Sequence, residues 1–176
     1  PPDDWLAKVK ARALQLDEKR AANVAFIEHL DFNIGRVLTA LKETGLAQNT
    51  IVVFSADNGG SLPHAQNNDP WRGGKQDHYD GGLRVPFMVR WPGHLPNPGT
   101  TSPALVSQTD LAASFAHLLG ATLPGGAARD SVNVMDALLG KSATGRAELL
   151  EHLYGKGPCA LRQGSWKLIR GELYDL

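Results

Sequence analysis

The 176-residue sequence has a single cysteine, Cys159, so it can close no internal disulfide and build no thiolate metal cage of its own. It has no excess of either charge: 18 Lys and Arg balance 18 Asp and Glu. A neutral chain has no field to draw phosphate backbones or anionic membranes, which argues against dedicated nucleic-acid binding. Long apolar runs are missing too. Residues 51–54 and 87–89 are the best stretches, against the ~18–20 residues that a bilayer span needs. The opening PPDDW lacks the basic start and apolar stretch of a secretion signal. There is no internal repeat and no low-complexity segment. Glycine (19) and proline (11) are plentiful and concentrate between residues 59 and 126, in a composition otherwise typical of a folded protein.

Residues 19–44 carry Phe26, Ile27, Leu30, Ile34, Val37, Leu38 and Leu41 at spacings of three and four, which predicts a long helix with one apolar stripe, left through Gly45. Residues 50–54, TIVVF, are a β-branched run too short for a helix and without alternation. They predict a central strand covered on both faces. Residues 85–91 predict a second strand that tolerates Pro86 near its start and is stopped by Pro92-Gly93. Thr109-Asp110 is expected to cap a helix with Leu111, Phe115, Leu118 and Leu119 on one face, closed by Gly120. Residues 134–139 show a short helical pattern. The runs 149–154, 160–162, 166–169 and 173–174, separated by glycines, predict a small antiparallel sheet. The expected fold class is α/β, a mixed, largely parallel sheet flanked by helices with a small antiparallel C-terminal subdomain.

The first strand runs directly into Ser55-Ala56-Asp57-Asn58-Gly59-Gly60, and ligands in open α/β sheets gather outside the carboxyl ends of strands. Asp57 and Asn58 offer a carboxylate and an amide oxygen there, which suit a hard cation such as Ca²⁺ or Mg²⁺, although calcium collects ~6–8 oxygens. Asp-Asn-Gly is equally an ordinary turn sequence. A second cluster, WRGGKQDHYDGGLRVP at 71–86, brackets Lys75 with two glycine pairs. That reads either as flexibility letting a point charge reach an anionic oxygen or as a mobile loop with a solvated lysine; it is not a Walker-type phosphate loop. Asp80 and Arg84 are expected to pair with each other or with the backbone. His64, in the loop leaving Asp57-Asn58, either faces substrate or is solvated. Asp77 and His78 read as surface-loop residues, with an influence on substrate choice as the other reading, and His29, His94, His117 and His152 have no ligand spacing. Trp71 is expected to anchor its loop, with a wall of the site as the other reading; Trp91 and Trp166 are expected to close a core, and Trp5 to be a surface or docking residue.

Taken in order, residues 27–45, NTIVVFSADNGG (49–60), RGGKQDHYDGGLRVPFMVRWPG (72–93), 107–120 and ALRQGSWKLIRGELYDL (160–176) resemble the C-terminal part of the sulfatases. These are sulfuric ester hydrolases of the alkaline phosphatase superfamily that include the arylsulfatases. The similarity runs from about residue 23 onward. It implies that residues 1–145 form the C-terminal portion of the catalytic α/β domain and that 146–176 begin the small antiparallel subdomain. Asp57 and Asn58 correspond to two calcium ligands of the family, whose cation, with Mg²⁺ as the alternative, draws charge off a sulfate oxygen as a Lewis acid. Lys75 corresponds to the lysine that contacts the sulfate ester and stabilises charge developing on its oxygens, and it is the catalytic candidate.

The family attacks with a hydrated formylglycine made from Cys or Ser in a Cys/Ser-x-Pro-x-Arg motif. Cys159 is followed by Ala160, Leu161 and Arg162 and does not match, so formylglycine is expected upstream of this chain. After Lys75 the family commonly writes a small residue, threonines, Tyr and Glu, where this chain has QDHYD. The resemblance implies a segment of a longer enzyme, inactive alone and completed by an N-terminal part of the catalytic domain. Its substrate is a sulfate ester small molecule or a sulfated glycan, and its location periplasmic, lysosomal or secreted. A sheet so shortened leaves edges and apolar faces open, which predicts association or low stability. Two other readings stand: a phosphoesterase or phosphonate monoester hydrolase of the same superfamily, since a metal and a lysine serve phosphoryl oxygens equally, and a non-catalytic remnant or partner module.

Overall fold

The computed structural model describes residues 1–12, 15–152 and 159–176. They fall into two compact units, Pro1–Met88 and Val89–Leu176.

The first unit opens with α1, Asp3–Ala11, an element that the sequence analysis passed over. Its signal is local. Proline precedes the helix, Asp3 and Asp4 occupy the first turn and Lys8 and Lys10 the last, each charge complementing the helix dipole. The long predicted helix is α2, Glu18–Glu43, started by the Asp17 carboxylate accepting the Arg20 N–H at 2.8 Å and left through Gly45 at φ +74°. The two helices meet on Val9, Ala21 and Ala25, with Trp5, Leu6, Leu16 and Val24 packed around them. Trp5 lies 5.5 Å from the His29 ring and 5.4 Å from Phe32, so it packs in the helix pair, where a surface or docking residue was expected.

The predicted apolar stripe of α2 is not its buried face: Phe26, Ile27 and Val37 are each more than half exposed. Alanines at 21 and 25 let α1 approach closely, whereas periodicity records an apolar face without saying what lies against it.

β1, Val52–Ser55, is half-buried along its length and pairs with β2, Phe87–Arg90, in a two-stranded sheet. Among the described residues the only other sheet is antiparallel, so the strand expected to be central and doubly covered has a single neighbour. Residue type favours the extended conformation; the number of strands alongside depends on which chain comes beside it. A short helix, α3, Asp80–Leu83, precedes β2.

In the second unit Asp110, expected with Thr109 to cap the helix, does stand at its N-cap position, and Ser107 caps the turn before it, its Oγ accepting the Thr109 N–H at 3.3 Å. A single 3-10 turn, Gln108–Asp110, then leads into α4, Leu111–Leu118, and Leu119 lies exposed beyond it. Asp110 is fully buried and joins three segments, accepting from the Ser107 N–H at 2.9 Å, the Val132 N–H at 3.0 Å and Arg146 Nε at 2.8 and 2.9 Å. The short helix expected at 134–139 is α5, Met135–Leu138, buried against α4; Ser114 Oγ of α4 accepts the Val134 N–H at 2.9 Å.

The predicted small antiparallel sheet is present, with β3, Glu148–Glu151, β4, Ala160–Gln163, β5, Trp166–Ile169, and β6, Glu172–Asp175, in sequence order. Residues 153–154, expected to extend its first strand, lie outside the described residues. Arg170 and Gly171 between β5 and β6 both take positive φ (51° and 87°), the backbone hand that suits a two-residue hairpin. Lys167 of β5 and Glu151 of β3, 1% and 8% exposed, pair at 2.9 Å across β4. The strand between them presents Ala160, which is fully buried and small enough for the lysine to pass.

Candidate functional site

The loop after β1 and the loop around Lys75 are joined by glycines. Added to Gly59, a Cβ would lie 1.7 Å from the Gly81 carbonyl oxygen; at Gly74, 2.6 Å from that of Gly60; at Gly81, 2.3 Å from that of Gly73; at Gly82, 2.3 Å from that of Asp77. At all four the obstacle is backbone, which no rotamer change relieves. The Gly59 N–H donates to Gly82 O at 2.8 Å, the Lys75 N–H to Gly60 O at 2.9 Å, and the Gly81 N–H to Arg72 O at 2.8 Å. Three glycine pairs therefore pack main chain against main chain. The glycine pairs around Lys75, which the sequence suggests are there for flexibility, serve close approach.

Asn68, which the sequence analysis did not single out, holds this junction. Its Oδ1 accepts the Gly60 N–H at 2.7 Å, and its Nδ2 donates to Gly60 O at 2.9 Å and Gly73 O at 3.1 Å. An asparagine in a loop gives no local clue to a bond eight residues away.

Lys75 sits in a tight turn. The Asp77 N–H donates to Gly74 O at 2.9 Å and the Gly74 N–H to Asp77 Oδ2 at 3.0 Å, closing it from both directions, with Gln76 at φ 77°. The Lys75 side chain is exposed and makes no hydrogen bond or ion pair among the described residues. Asp57 is also exposed and likewise makes no side-chain hydrogen bond or ion pair among the described residues. Asn58 is half-buried and donates its Nδ2 to Gly59 O at 2.9 Å, which leaves its Oδ1 as an acceptor. Asp57, Asn58 and Lys75 thus belong to two loops fastened to each other at Gly60. His64 is exposed, its Nδ1 2.8 Å from Ser61 Oγ. Its loop is tied to α2, Asn23 Nδ2 donating to His64 O and Arg20 to Ala65 O at 3.2 Å.

Asp77 is half-buried and structural, and His78 is only 4% exposed, so neither is the surface-loop residue expected. Asp80 and Arg84 do pair, at 3.7 Å, and the Arg84 guanidinium also stacks over Trp71 at 4.0 Å. Cys159 is exposed and its Sγ lies 3.2 Å from Nδ1 of His152, a contact invisible in the spacing. Among the described residues no three His, Cys, Asp or Glu side chains converge as a metal cluster, and no helix is long and apolar enough to cross a membrane.

Comparison with known proteins agrees with this arrangement of segments. The sulfatase family matches residues 2–121, and the chain belongs to that family. It is 38% identical over 134 residues to mouse steryl-sulfatase, covering 72% of this chain and 21% of the relative. It is 36% identical over 156 residues to an N-acetylgalactosamine-6-O-sulfatase of Bacteroides thetaiotaomicron, covering 81% of this chain and 30% of the relative. Among solved structures, Ps i-CgsB in complex with k-i-k-neocarrahexaose superposes with a TM-score of 0.83 at 28% identity, over 98% of this chain and 39% of that one. The chain therefore spans only a fifth to a third of the length of these curated relatives.

Proposed function

We propose that this chain supplies the sulfate-holding side of a sulfuric ester hydrolase centre. In this reading Asp57 and Asn58 are oxygen ligands of Ca²⁺, with Mg²⁺ the other hard cation they suit, Lys75 is the catalytic cation on the sulfuryl oxygens, and His64 borders the substrate. The observation that carries it is the 2.9 Å bond from the Lys75 N–H to Gly60 O, which fastens the lysine's turn two residues from Asn58. An unpaired carboxylate and a free amide oxygen fit a hard cation, as two of its ~6–8 ligands. When bound, the cation supplies Lewis-acid polarisation of a sulfate oxygen. Lys75, held at the base of its side chain by a doubly closed turn, brings a fixed positive charge against oxygens that gain negative charge as the ester S–O bond breaks. A rigid root limits the reorganisation needed at that moment. The substrate is a sulfate ester, small or carried on a glycan.

The test is turnover in the gene product that carries this chain. Lys75→Ala is expected to lower kcat/KM for 4-nitrophenyl sulfate by about 10²–10³-fold with the circular dichroism spectrum unchanged. Asp57→Ala is expected to raise the Ca²⁺ concentration needed for half-maximal rate. A Lys75→Ala variant of undiminished activity overturns the assignment, and 4-nitrophenyl phosphate hydrolysed in preference to the sulfate moves the chain to the phosphoesterases.

A further inference from the structure

We infer that Ser61 and Asn23 are positioning residues for His64. Ser61 sets the tautomer of its ring and Asn23 holds the main chain of its turn, so that Nε2 serves as a fixed hydrogen-bond donor to the oxygens of a sulfate ester. The inference rests on the sulfatase reading above, in which His64 borders the substrate, and adds the residues that aim it. An exposed loop histidine ordinarily turns freely about its two side-chain bonds. His64 is exposed, yet it is tied at its ring, at its N–H, at its carbonyl and at the residue that follows.

Ser61 stands at the N-cap of a single 3-10 turn, Leu62–His64, and makes no capping bond. Pro63 within that turn has no N–H to offer, and the Ser61 hydroxyl lies 2.8 Å from His64 Nδ1 instead. Donated to Nδ1, the hydroxyl proton leaves the ring's own proton on Nε2, which has no partner among the described residues. The main chain of the turn is held as well. The His64 N–H donates to Ser61 O at 3.0 Å and the Ala65 N–H to Leu62 O at 3.0 Å. From α2, Arg20 and Asn23, three residues apart on one face, donate to Ala65 O at 3.2 Å and to His64 O. Ala65 takes φ 57°, a left-handed conformation that a residue with a Cβ keeps only where its surroundings impose it. Ser61 also follows Gly60, whose carbonyl accepts the Lys75 N–H at 2.9 Å, so the turn is rooted at the junction that carries the proposed sulfate site. A ring fixed in this way gives up little freedom when an acceptor oxygen arrives, and more of the hydrogen bond appears as affinity.

Steady-state kinetics of the gene product that carries this chain, with 4-nitrophenyl sulfate as substrate, test this. His64→Ala is expected to raise KM about tenfold, the loss of one hydrogen bond to a charged acceptor. Ser61→Ala and Asn23→Ala are expected to raise KM about threefold to fivefold with kcat within about twofold of wild type, the split that marks lost binding. Ser61→Thr, which keeps the hydroxyl, restores KM. Added to His64→Ala, Ser61→Ala has no further effect, because it acts only through the ring. Circular dichroism checks that each variant is folded. Effects that add in the double variant overturn the inference, as does a KM that Ser61→Ala leaves unchanged. The two readings fail separately. Undiminished activity in Lys75→Ala removes the sulfatase reading and this inference with it; a crippled Lys75→Ala beside a His64→Ala variant of unchanged KM overturns the inference alone.

Discussion

Asn68 spends its side-chain amide on main chain: the oxygen takes one N–H and the nitrogen serves two carbonyls. Aspartate would put oxygen where those carbonyls need a donor. Asn68→Asp is therefore expected to destabilise by about 3 kcal/mol, more than Asn68→Ala, as read from urea unfolding midpoints. Equal losses would mean that the amide only fills space. Asp77 has a smaller, local task, holding the Gly74 N–H beneath Lys75. Asp77→Ala is expected to cost about 1 kcal/mol, with Asp77→Asn recovering part of it because the amide oxygen still accepts. Both roles escape a reading by residue type. Asp57, Asn58 and Lys75 stood out because a carboxylate, an amide and an ammonium next to glycines carry recognisable chemistry. Asn68 carries only geometry.

At the scale of elements, the three glycine pairs are one structural feature spread over 24 residues. Gly59→Ala forces a methyl into the Gly81 carbonyl and is expected to cost about 3 kcal/mol or more, whereas Gly35→Ala, whose Cβ meets nothing within 4 Å, is expected to be neutral or stabilising. Thermal unfolding of the two variants compares them directly; similar midpoints would refute the packing argument. The β3–β6 sheet depends on a buried ion pair. Lys167→Ala strands Glu151 and is expected to cost about 3–5 kcal/mol, while Lys167→Met with Glu151→Leu restores most of it. The hairpins and short helices of this unit were legible because glycine separators and apolar runs act over a few residues. The Ser107 cap and the Asp110–Arg146 pair were not, since the latter partners are 36 positions apart.

For the whole molecule, apolar surface is the outstanding quantity. Phe26, Ile27, Phe32 and Val37 of α2 are each more than half exposed. Leu150, Leu161, Leu168 and Leu173 align across all four strands of the small sheet, three of them exposed. Patches of this kind drive association. Size-exclusion chromatography with light scattering is expected to show concentration-dependent oligomers, reduced by Ile27→Lys together with Val37→Lys without loss of helix signal. A monodisperse wild-type chain would count against it.

What residue order decided by itself was local. Spacing set the helices, β-branched runs the strands, glycines the turns, and the succession of segments the family, because each depends on neighbours within a few positions. Tertiary structure alone decided which face of α2 is buried, that the glycines serve contact and not mobility, and that Asn68 joins two loops. Those outcomes are fixed by the fit of main chain against main chain over distances that no local pattern encodes.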